Sequence, residues 1–173
     1  MMSNRVAFAV AVWAATSLAA PGMAQEGVIF SPAATETCMQ DFDHLNDLSF
    51  CAGEAANACM EATPGGYSTV GMVGCYDAEL QYWDARLNGA YKRVRAEAKA
   101  MDAEMKEIGS SAPSQADALR DMQRAWITYR DATCGYERAL WGGGTGAGPA
   151  GVACLMGLTA KQALYLESLN GLN

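Results

Sequence analysis

Histidine is nearly absent from this 173-residue chain: His44 is the only one. A zinc site built on imidazoles would lack its usual ligands, and a cysteine nucleophile would lack the base that normally activates it. No Cys-x-x-Cys occurs, which argues against a thiol oxidoreductase. No alternating apolar and polar run of useful length is present, so strands are not expected, and no internal repeat is visible. Positive charge is scarce as well. Twelve lysines and arginines face 19 aspartates and glutamates, for a net charge of −7. Such a chain is a poor candidate for binding nucleic acid or an anionic membrane surface. It suits a basic partner, or the charge serves solubility alone. A glycosidase-like site needs two acids facing each other in a cleft, and no pair is marked out here. Neither an enzyme nor a cofactor or metal is expected.

The first residues read as an export signal. Arg5 precedes an apolar run from Val6 to Ala20, too short and too rich in small residues to favour a membrane span. Gly22-Met23-Ala24 then supplies a small-x-small cleavage pattern. Cleavage after Ala24 is expected, with Gln25 as the new N-terminus and 1–24 as the signal peptide. No cysteine follows the cut, so a lipid anchor is not expected, and the protein is placed in the periplasm or outside the cell. Arg5 is the one charged residue before the cut. The remaining 149 residues therefore carry 11 basic and 19 acidic side chains, a net charge of −8.

All six cysteines follow the cut: Cys38, Cys51, Cys59, Cys75, Cys134 and Cys154. An even number in an exported chain points to disulfides. Cys134 ends one helical pattern and Cys154 begins the next, so joining them closes a loop of about 20 residues, worth roughly 3 kcal/mol in chain entropy. The other four allow three pairings. Cys51 and Cys59 are too far apart to join if one helix carries both. A hairpin turning near His44 favours Cys38 with Cys51, and a second turn near Tyr67 favours Cys59 with Cys75.

The element pattern is all-helical. A brief helix is expected from Ala34 to Phe42 and a second within "DLSFCAGEAANACMEA", stopped by Pro64, Gly65 and Gly66. From Tyr76 onward, Leu80, Trp83, Leu87, Tyr91, Val94, Ala98, Met101, Met105 and Ile108 recur at spacings of three and four, the mark of one long helix with a single buried stripe. Arg93 with Glu97 and Asp102 with Lys106 are expected as ion pairs on its exposed side. Ser114 reads as the N-cap of the next helix, with Asp117 three residues on. The short connection makes that helix antiparallel to the first. Gly142 to Gly151 reads as a flexible glycine loop. It follows no strand and lacks a lysine-threonine ending, so it is not a phosphate loop. Thr159 with Gln162 forms a Thr-x-x-Gln capping box that is expected to open the last helix. The fold expected is a small antiparallel helical bundle built on one long helix and stapled by disulfides. A cysteine-bearing helical segment would occupy 25–74 and the main helical domain 75–173.

The densest run of chemistry is "QRAWITYRDATCGYE", Gln123 to Glu137. A turn near Ser111 would set Arg130 opposite Tyr91 and Cys134 opposite Asn88. Buried polar atoms need partners. Arg130 is therefore expected within hydrogen-bond reach of Asp84, Asn88 or Tyr91, with Trp83 and Trp126 as apolar anchors of a structural clamp. A binding loop is a candidate at Trp141, Gly143, Thr145 and Pro149, and a plain connector is the alternative.

The stretches "CYDAELQYWDARLNGAYK", "QRAWITYRDATC" and "CLMGLTAKQALYL" resemble the LprI-type lysozyme-inhibitor N-terminal domain, a family of small exported bacterial proteins. The resemblance covers Cys75 to Leu169. It departs from the family at Gln162, where an arginine often stands. It implies an all-helical, disulfide-stapled domain and inhibition of lysozyme, by a protein that binds lysozyme or another basic envelope protein. The alternative is a periplasmic accessory or interaction module with no lysozyme role.

Overall fold

A computed structural model of the chain describes residues 27–42 and 47–169. The expected signal peptide and the turn at His44 lie outside the described residues. Five α-helices follow in order: α1 (Ala33–Asp41), α2 (Glu54–Ala62), α3 (Thr69–Glu107), α4 (Gln115–Ala139) and α5 (Ala147–Ser168). A single 3-10 turn, Ser49–Cys51, stands between α1 and α2. No strand occurs among the described residues. The second expected helix is thus shorter than its composition suggests. Gly53, at φ 109°, breaks the chain ahead of α2 in a conformation that few other residues adopt.

Helix α3 is the spine. Its 39 residues span about 58 Å at 1.5 Å per residue. It starts at Thr69, ahead of the expected Tyr76, because the Ser68 hydroxyl accepts the Gly71 N–H as an N-cap. The buried stripe runs Cys75, Glu79, Trp83, Leu87, Ala90, Val94 and Ala98. Met101 and Met105 are only half-buried, and Ile108 is exposed. The stripe fades because the far third of α3 reaches past the end of α5.

Helix α5 is the main partner of α3. Gly148 lies against Val73, and Arg86 meets Glu167, so α5 runs parallel to the first half of the spine. Helix α4 runs antiparallel to both. Its start is fixed by Asp102 of α3, which accepts N–H groups of Gln115 (2.7 Å) and Ala116 (3.1 Å) and the Ser114 hydroxyl (2.6 Å). Ser114 also accepts the Asp117 N–H, the expected cap. Asp102 therefore holds a helix N-terminus and does not pair with Lys106.

Three disulfides pin the layers: Cys38–Cys51, Cys59–Cys75 and Cys134–Cys154. The core joins Trp83 and Leu87 of α3 with Met156, Ala160, Ala163 and Leu166 of α5 and Cys59 and Met60 of α2. The last helix does not open at Thr159. It opens at Ala147, inside the stretch that reads as a glycine loop. Thr159 and Gln162 are buried in its middle, where Gln162 donates to Gln123 of α4 (3.0 Å). The glycines serve close approach: a Cβ at Gly151 would lie 2.3 Å from the Arg138 side chain of α4.

Candidate binding surface and the scaffold beneath it

Among the described residues, Glu79 on α3 is the one charged side chain that is fully buried. It stands four residues after Cys75 and four before Trp83, so the helix aims all three inward. One carboxylate oxygen accepts from the Thr35 hydroxyl (2.8 Å), Gly53 N–H (2.9 Å) and Trp83 Nε1 (3.0 Å). The other accepts from Ala56 N–H (2.7 Å). Gly53 and Ala56 are the N-cap and third residue of α2, so Glu79 caps α2 from a different helix. Thr35 accepts the Ala55 N–H (3.0 Å) in the same place. One side chain thus ties α1, α2 and α3 together, and its four donors leave no water-exposed chemistry.

Two turns on, Arg86 forms a fork with Glu167 of α5, at 3.0 Å and 2.6 Å. It also donates to the Tyr82 hydroxyl (3.0 Å) and lies 4.9 Å over the Trp83 ring. Burial works against the guanidinium charge, but Glu167 and then Tyr82 outweigh it and hold Arg86 more firmly protonated than usual. Burial, the leading cause, raises the Tyr82 phenol above its ordinary value. Sequence reasoning missed both Glu79 and Arg86. The signal for Glu79 was available in its place in the i, i+4 row between Cys75 and Trp83. Arg86 lies off the apolar stripe and had no such mark.

The clamp expected at Arg130 is arranged differently. Arg130 bonds the adjacent Asp131 (Nε to Oδ1, 2.9 Å) and lies 5.0 Å over Trp126. Asp84 and Asn88 are exposed and bond each other at 2.8 Å. Arg130 shares a groove with Leu80, Asp84 and Leu155, well toward the start of α3 from Tyr91. The register is displaced because the Asp102 cap fixes where α4 begins. Of the expected clamp, only Trp83 is fully buried; Trp126, Tyr91 and Arg130 are half-buried.

The α4–α5 corner is a tight series of turns rather than a slack loop. Gly144 N–H bonds the Trp141 carbonyl (2.8 Å) and Ala147 N–H bonds the Gly144 carbonyl (3.1 Å). Gly142 and Gly143 take positive φ. The Trp141 ring lies across Gly146, where a Cβ would come within 2.1 Å of it. Trp141 is nevertheless 53% exposed, with Leu140 and Tyr136 open beside it. Gly143 and Thr145 are exposed at the tip. Pro149 is buried in the first turn of α5, where its missing N–H costs nothing, so it does not belong to the exposed corner. The Cys134–Cys154 bond fixes the base.

Among the described residues no helix is long and apolar enough to cross a membrane, and no group of three or more metal-ligating side chains is assembled. Fold and surface define a small, disulfide-pinned helical domain that presents a rigid corner. The chain belongs to the family described as lysozyme inhibitor LprI, which it matches over residues 59–166. The match begins at Cys59, ahead of the Cys75 where the resemblance starts. An uncharacterised protein of Rhizobium meliloti (strain 1021) is 36% identical over 131 residues, covering 70% of this chain and 89% of the relative. An uncharacterised 17.7 kDa protein of Rhodobacter capsulatus is 27% identical over 135 residues, covering 78% and 83%. No solved structure matches the chain.

Proposed function

We propose that this is an exported binding protein that blocks lysozyme in the bacterial envelope, and that the α4–α5 corner is the part that enters the enzyme's cleft. The family match carries the reading. Three disulfides and no free cysteine among the described residues suit an oxidising compartment. After the expected cleavage the net charge is −8, and animal-type lysozymes are basic. Opposite charge speeds encounter and makes it salt-dependent. The corner adds an exposed tryptophan on a braced loop, an anchor with little freedom to lose on binding. Trp83, Glu79 and the Arg86–Glu167 pair act as scaffold beneath it.

The test is clearing of a cell-wall suspension by an animal-type lysozyme. Micromolar protein at low salt should slow clearing, added salt should weaken the effect, and Trp141→Ala should reduce it about tenfold or more. Full clearing in the presence of the wild-type protein would remove the lysozyme reading. The second reading, an envelope interaction module, is favoured by the segment ahead of residue 59, which lies outside the family match.

A further inference from the structure

Charge is divided unevenly along the chain. Residues 25–85 carry ten acidic side chains and no lysine or arginine, whereas residues 86–173 carry nine acidic and 11 basic ones. In the second part basic side chains outnumber acids, and four surface carboxylates are matched: Glu167 pairs with Arg86, Asp117 and Asp121 with Arg120, and Asp131 with Arg130. In the first part Asp41 and Glu54 make no ion pair with any described residue.

Those two acids flank an apolar groove of about 600 Å³. Its wall is the outer face of α1, from Ala33 and Ala34 to Asp41, and its far side is Phe50 and the start of α2. Phe42 and Phe50 meet edge to face at 5.2 Å, and Phe50 is half-exposed. The Cys38–Cys51 bond fixes the two walls, and Thr35 with Glu79 holds α1 from behind. The groove is therefore rigid, apolar at its centre and acidic at its rim. It lies outside the stretch matched to the family.

We infer that this groove docks a cationic polypeptide segment, with an apolar side chain against Phe50 and lysine or arginine at Asp41 and Glu54. Charge complementarity selects that occupant. A second copy of this chain would bring the same uncompensated acids together. An apolar centre flanked by charges of one sign is the form in which electrostatics steers and packing holds. This rests on the reading of the chain as a binding protein, not on lysozyme being the partner.

The experiment measures binding of the full exported chain to two probes: a synthetic peptide of lysine and leucine, and an animal-type lysozyme. A serine and leucine peptide of equal length serves as the uncharged control. The expected result is salt-sensitive binding of the cationic peptide. Asp41→Asn with Glu54→Gln should weaken it about tenfold, and Phe50→Ser should weaken it at any salt. Glu104→Gln with Glu107→Gln removes equal charge at the far end of α3 and should change it less than about twofold. Equal loss in that control pair, binding of the uncharged peptide as tightly, or no peptide binding at all would overturn the inference. Lysozyme binding that ignores the groove variants, together with peptide binding that also ignores them, would overturn it and leave the lysozyme reading standing. Peptide binding through the groove without lysozyme binding would do the reverse.

Discussion

Two arginines in this protein lie over tryptophan rings at almost the same distance, Arg86 at 4.9 Å from Trp83 and Arg130 at 5.0 Å from Trp126. Their surroundings make them different objects. Arg86 reaches Glu167, 81 residues away, and the Trp83 it covers donates to the buried Glu79. Arg130 reaches Asp131, its neighbour in sequence, whose side chain is 57% exposed. A long-range pair holds helices together; a local pair on one helix constrains only itself. Cation–π contact is common to both, so the position of the acid decides which cluster is structural.

The comparison can be broken at several places. The largest effect is expected at Glu79. Glu79→Gln cannot accept all four donors and sets an amide against one of them. A loss of roughly 3 kcal/mol is expected, read by denaturant or thermal unfolding. Thr35→Val keeps the shape but leaves the Ala55 N–H unpaired and Glu79 short of a donor, for a loss of about 2 kcal/mol. It should also loosen α1, read as faster amide exchange there, while α4 keeps its protection.

Asp102 gives the smallest effect and a sign to check. The hydrogen bond from Ser114 foremost, with those from Gln115 and Ala116, holds its carboxyl below the usual range. Its contribution is therefore present above the unfolded value of about 4 and is lost as pH falls through the lower folded value. Asp102→Asn should lower stability slightly near neutrality and make the fall below about pH 4 shallower, so that the two curves converge in acid. A variant whose acid limb matches the wild type would refute the cap.

Much of this fold was legible. The cysteine pairings followed from where hairpins had to turn, and the long helix from its stripe. Ser114 was legible because a cap is a local event. What failed was local pattern without tertiary context. Thr159 and Gln162 have the spacing of a capping box, yet they sit mid-helix because α5 gains its burial by continuing back to Ala147. Gly148 and Gly151 read as slack, yet they let α5 approach Val73 and Arg138. Glu79 went unmarked because acids seldom go inside, and only its row on α3 set it apart. The exposed corner at Trp141 was legible in outline, and Pro149 was not, since burial in a first helical turn leaves no local trace.

The most direct measurement is thermal unfolding of Arg86→Gln beside Arg130→Gln, two equal changes at two equal ring contacts. Arg86→Gln should cost about 2 kcal/mol, on the order of 5 °C, because it strands Glu167 between helices. Arg130→Gln should cost under about 1 kcal/mol. Equal losses, or the larger loss at Arg130, would contradict the assignment of the scaffold to the Glu79–Arg86 side of the bundle.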